Sequence, residues 1–128
     1  MTEASAGEIF RQAWIDGVKA HYPGEPKPSY IMPWAETADW ERAAAAAVHE
    51  QVRGFIEATA GATGKLTREQ KGRFVALCWV GQVFKHIPDP KPAYVADWDG
   101  LPGWQQETDA DIFERIERIT LGRRLGRV

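Results

Sequence analysis

The sequence predicts an all-α domain made of two copies of one unit, a helix, a proline-rich loop and a second helix, related by an approximate two-fold axis. Three observations predict it. First, the chain repeats itself. Trp14, Val18, His21, Pro23, Pro26, Lys27, Pro28, Tyr30, Trp34 and Trp40 align with Trp79, Val83, His86, Pro88, Pro90, Lys91, Pro92, Tyr94, Trp98 and Trp104, once Gly24 and Glu25 are set against the single Asp89. The shared pattern, W-x3-V-x2-H-x-P-x(1–2)-P-K-P-x-Y-x3-W-x5-W, is carried by rare residue types and takes in all six tryptophans. Second, apolar residues recur at helical spacing on both sides of each loop. Third, no segment alternates with the two-residue period of a half-buried strand.

Each element has a local reason. Ser5-Ala6-Gly7-Glu8 reads as a capping box, and the helix it opens carries Phe10, Trp14, Val18 and His21 on one face until Pro23 ends it. Pro23, Pro26, Pro28 and Pro33, with Gly24, make the following stretch an extended loop poor in backbone donors. Thr37 is the expected N-cap of the second helix, whose first turn holds Asp39 and whose buried stripe is Trp40, Val48, Val52 and Phe55. Gly61-Ala62-Thr63-Gly64 separates the copies. A second capping box, Thr67-Arg68-Glu69-Gln70, opens the third helix. That helix is apolar on nearly every side from Phe74 to Phe84, which predicts a central, covered position. Pro88 ends it. After the second loop, Pro102 suits a first helical turn, Trp104, Ile112, Ile116 and Ile119 repeat the earlier stripe, and Gly122 is the expected stop. The domain plan is one domain over 1–128, with repeats at about 6–58 and 67–121, a linker at 59–66 and a basic tail at 122–128.

Composition narrows the function. A chain of 128 residues, 44 % hydrophobic and 27 % charged, can bury a core without staples. Its net charge of −2 supplies no general field for nucleic acid, leaving only the short run Arg123-Arg124-Leu125-Gly126-Arg127 as a basic segment. No apolar run reaches the roughly 20 residues of a membrane span, and the first residues lack the basic and apolar regions of a signal peptide. A cytoplasmic protein is expected. The lone Cys78 lies in the apolar run and reads as a small hydrophobe.

Catalytic constellations are thin. There is no glycine-rich phosphate loop, no pair of histidines at metal-ligand spacing and no nucleophile motif, so the expectation is a non-enzymatic protein with no cofactor and no bound metal. Glu36, Asp39, Asp97 and Asp99 suit dipole compensation at helix starts. His49 aligns with Phe113, belongs to no repeated motif and reads as a surface histidine. The loop motif P-K-P-x-Y-x3-W remains the candidate site. Prolines stiffen it, and each copy supplies a cation (Lys27, Lys91), a hydroxyl (Tyr30, Tyr94), a flat ring (Trp34, Trp98) and a helix-end histidine (His21, His86). Such a set suits a small anionic aromatic ligand, with the tryptophan stacking, the lysine meeting the negative group, and tyrosine and histidine donating hydrogen bonds. The bland alternative is that these aromatics seal the loops onto the helices.

The stretch Trp98-Asp99-Gly100-Leu101-Pro102-Gly103-Trp104-Gln105, with a helix and proline-bearing loop before it and a helix after it, resembles the ryanodine-receptor repeat (RyR) domain as it occurs in small bacterial and phage proteins. The first copy is similar through Pro33-Trp34 and Trp40-Glu41-Arg42, with Thr37-Ala38 where the turn would carry Leu-Pro. The two copies together cover most of the chain. The resemblance implies a binding module, a sensor of nucleotide-like ligands in host–phage conflict, with Pro33, Trp34, Trp40, Trp98, Leu101, Pro102 and Trp104 at stake. Its rival is a protein-interaction or assembly module, including a homo-oligomer, that uses the aromatic loops.

Overall fold

The computed structural model describes residues 4–125, with side chains as far as Arg123. Four helices carry the fold: α1 (Ala6–His21), α2 (Asp39–Ala58), α3 (Arg68–His86) and α4 (Gly103–Leu125). No strand occurs among the described residues. Each loop contains two single 3-10 turns, Pro28–Ile31 and Trp34–Glu36 in the first, Pro92–Val95 and Trp98–Gly100 in the second. The loops are therefore less extended than their prolines suggested, because proline's fixed φ also suits the first position of a 3-10 turn. The linker forms a further turn, Ala62–Lys65, after Ala60 and Gly61 take positive φ.

The expected caps form at α1 and α3. Ser5 accepts from the Glu8 amide, and Thr67 and Gln70 form a full capping box. At α2 the expectation fails by one residue. Ala38 is the N-cap, and the Thr37 hydroxyl instead donates to the Pro33 carbonyl at 2.9 Å, pinning the loop it was expected to leave. At the other end, α4 runs through Gly122 to Leu125. One glycine costs a helix only about 1 kcal/mol, and Leu121 beside it packs on the core. The rest of the basic tail lies outside the described residues.

The centre of the molecule is not α3. Helices α2 and α4 pack on each other, and α1 and α3 each pack against both of them. Val48, Val52 and Ile56 from α2 and Ile112, Phe113 and Ile116 from α4 are fully buried. Helix α3 lies outside this pair and leaves Leu77 73 % and Phe84 57 % exposed. The apolar run from Phe74 to Phe84 conceals a face, with Leu77 and Phe84 on it, that the rest of the described chain leaves exposed.

Two glycines explain how the loops sit. A Cβ on Gly7 would lie 2.3 Å from Cη2 of Trp34, and one on Gly72 would lie 2.4 Å from Cη2 of Trp98. Each tryptophan rests its ring edge on bare helix backbone in the first turns of α1 or α3. Gly17 plays a similar part where α1 crosses α4, its missing Cβ occupied by the Thr108 side chain at 2.6 Å.

Candidate functional site

The first loop turns back and runs along α1. Its prolines remove backbone donors, so its carbonyls need donors from elsewhere. Arg11 supplies them: Nε and Nη2 donate to the Met32 carbonyl at 3.0 and 2.9 Å, and Nη2 also to the Ser29 carbonyl at 3.1 Å. Trp14 Nε1 donates to the Tyr30 carbonyl at 2.9 Å. Burial lowers the pKa of Arg11, with Glu41 opposing. Arg11 was not singled out by the sequence. Its only signal there is a cation between Phe10 and Trp14 on an otherwise apolar face.

This course decides which candidate residues meet. Trp34 rests on Gly7 at the start of α1, while His21 ends that helix. At 1.5 Å rise per residue they are about 21 Å apart. Trp98 on Gly72 and His86 at the end of α3 are separated in the same way. A single ligand of nucleotide size does not span from histidine to tryptophan in either copy. The tryptophan faces are also taken. The Arg42 guanidinium lies 6.0 Å from the Trp34 ring centre and that of Arg73 lies 5.7 Å from Trp98, both within cation–π reach.

What the first loop does assemble is an aromatic group near the end of α1. Tyr30 sits 5.9 Å from Tyr22 and 5.6 Å from Trp104, Trp104 sits 5.8 Å from Trp14, and Lys27 Nζ lies 5.8 Å over the Tyr30 ring. His21 turns away to α4, its Nε2 2.7 Å from Asp111. In the second half Trp79 stacks on Phe10 at 5.8 Å and lies 6.0 Å from Trp40, and Trp40 lies 6.3 Å from His86. His86 Nε2 is buried with no hydrogen-bond partner. Lys91 is exposed, and Tyr94 is 52 % exposed rather than packed as Tyr30 is. Beside Trp98 lies a depression of about 180 Å³ lined by Arg68, Glu69, Gln106 and Glu107.

Ionic groups that the sequence reading passed over are prominent. Lys71, only 6 % exposed, contacts Glu117 at 2.9 Å and Glu114 at 3.3 Å, and Thr63 donates to Glu117 at 2.7 Å. Arg68 continues the chain of contacts to Glu114, Glu107 and Asp111, and so to His21. Asp109, 5 % exposed, has no hydrogen-bonding or ionic partner among the described residues, and burial raises its pKa well above the usual carboxyl range. An acid whose folded pKa is raised holds an extra proton when folded. Its contribution is complete below the unfolded value near 4 and is lost as pH rises towards the folded pKa. Asp109→Asn is therefore expected to abolish a fall in stability that wild type shows above about pH 4, measured by urea unfolding at successive pH values. Parallel pH profiles for the two proteins would refute it. Cys78 is half-buried, and burial pushes its thiol up to about 11, as a packing residue requires. No cluster of three or more metal-ligating side chains occurs among the described residues, and no described helix is long and apolar enough to cross a membrane. No family model, curated protein or solved structure matches the chain.

Proposed function

We propose that the protein is an interaction module that pairs with a second copy of itself through the outer face of α3. One observation carries the reading: the large apolar side chains most exposed among the described residues are Leu77, Phe84 and Tyr94, on α3 and on the loop that lies against it. Leu77 and Phe84 are two helical turns apart on one face, and exposed Gly81 stands between them with nothing within 4 Å of where a Cβ would be. The face is self-complementary. Antiparallel pairing about a two-fold axis near Val80 and Gly81 sets Leu77 of each copy over Phe84 of the other, with glycine letting the backbones approach. It also brings Arg73, which already pairs with Glu69 and Asp99, towards Asp89 beyond the other end of the stripe, and Asp89 has no ionic partner among the described residues. An apolar stripe of this kind, rimmed by charge, suits a protein contact better than water.

Sedimentation across a hundredfold concentration range is expected to show a monomer–dimer equilibrium. Leu77→Glu with Phe84→Glu should leave a monomer of unchanged helix content. A wild type that stays monomeric throughout the range would overturn the reading. An internal duplication belongs to the same proposal, supported by the repeated motif and by the parallel seats of Trp34 on Gly7 and Trp98 on Gly72.

A second reading keeps the small anionic aromatic ligand, confined to the first loop. It is favoured by Lys27 over Tyr30 beside Tyr22 and Trp104, a cation and several rings in one place. A mononucleotide at 100 times its dissociation constant would add about 2.7 kcal/mol of stability. Loss of that gain in Lys27→Ala would locate it there, and no gain with any mononucleotide would remove it.

A further inference from the structure

A cleft of about 610 Å³ lies away from both loops, between the start of α1, the middle of α2 and the end of α4. We propose that this cleft binds a small neutral molecule of one or two fused rings carrying a single hydrogen-bonding nitrogen or hydroxyl, with His49 as its polar anchor.

His49 was expected at the surface but is only 4 % exposed, and it lines the cleft. Neither ring nitrogen has a hydrogen-bond partner, and both are closed to solvent as the ring stands, so a ligand in the cleft reaches one by a small turn of the side chain. Glu50 Oε1 lies 3.3 Å from Nδ1, an ionic distance without hydrogen-bond alignment, so it does not satisfy the ring. A buried polar group left unpaired is costly, and a ligand atom that pairs with it recovers that cost. Desolvation lowers the imidazole's pKa, with Glu50 opposing, so the ring offers one donor and one acceptor rather than a charge.

The walls give the rest of the chemistry. Ala6, Ile9 and Ile119 are small or aliphatic, and Thr120 adds a hydroxyl. At the rim, Arg53 is paired with Glu50 and Glu57, and Arg123, which also lines the cleft, has a partner of its own, so the charges around the opening are already engaged. The volume falls within the range of small-molecule pockets. The repeat of the sequence shows what closes the matching place in the second half. Ile9, His49 and Ile119 align with Phe74, Phe113 and Phe55, whose rings pack together at 4.7, 6.0 and 6.4 Å. Three rings fill one half, and smaller side chains with an imidazole leave room for a ring in the other. This inference does not rest on the pairing of α3, and it predicts no change of mass in solution.

The test is a titration of the labelled full chain with indole, benzimidazole and phenol, read by NMR at the His49 ring and the Ile9 and Ile119 methyls. At least one probe is expected to give saturable shifts at all three residues. His49→Gln, which keeps the space and loses the ring, should weaken that binding at least tenfold. Ile9→Phe with His49→Phe, copying the second half, should abolish it, and Ala6→Leu offers an independent way to fill the cleft should that pair fail to fold. Resonances unmoved by all three probes, or shifts that persist in both filled variants, would overturn the proposal.

Discussion

Lys71→Met is expected to lower the unfolding free energy by about 3–5 kcal/mol, the usual cost of removing one partner from a buried ion pair. Lys71 enters from α3, and its ammonium lies between Glu117 and Glu114 of α4. Desolvation disfavours its charge, yet the two carboxylates outweigh that and raise its pKa. Glu117 is itself 8 % exposed and keeps only the Thr63 hydroxyl once the lysine is gone. The loss comes from the stranded carboxylate, which gives a second arm to the test. Lys71→Met with Glu117→Leu removes both charges and should recover most of the stability, because an apolar replacement of a buried pair is often neutral or better. Chemical denaturation of wild type, single and double variants measures it. A double variant as unstable as the single would show that packing of the lysine stem, and not charge, was lost.

Gly72→Ala reverses the ordinary rule. In an exposed helix interior this change stabilises by up to about 1 kcal/mol. Here the new methyl would stand 2.4 Å from one carbon of the Trp98 ring and 2.8 Å from another. The methyl would also stand 3.4 Å from the Ala110 backbone nitrogen of α4, which cannot give way as a side chain can, and Arg73 lies over the ring. Overpacking of this kind costs about 1–3 kcal/mol, so a lowered denaturation midpoint is expected, and Gly7→Ala should do the same beneath Trp34. An unchanged or raised midpoint in either would mean that the tryptophan does not occupy its seat in solution.

Much of the fold was legible because it is written in local chemistry. Capping at Ser5 and Thr67 and the stops before Pro23 and Pro88 depend on neighbours in sequence, and the helices begin and end accordingly. The site was less legible because its geometry depends on which way a loop runs. Nothing periodic in Pro23–Pro33 announces that Arg11 and Trp14 will draw it back along α1, and that course parts Trp34 from His21. Gly7 and Gly72 gave no sign of their part, since a glycine does not name the ring that will lie on it. His49 misled by type, and Lys71 drew no notice for the same reason. Lysine ordinarily faces water and histidine often does, yet both are buried here, Lys71 against Glu114 and Glu117 of α4.

The pairing of α1 with α4 also has a consequence for synthesis of the chain. Of the described helices, α1 leaves the ribosome before the others and α4 after them. Until α4 emerges, the face of α1 that carries Gly17 lacks the Thr108 it closes on, and α1 and α2 alone offer a nascent chain only part of the final core. The core that the described helices share is thus complete only once α4, with Ile112, Phe113 and Ile116, has arrived.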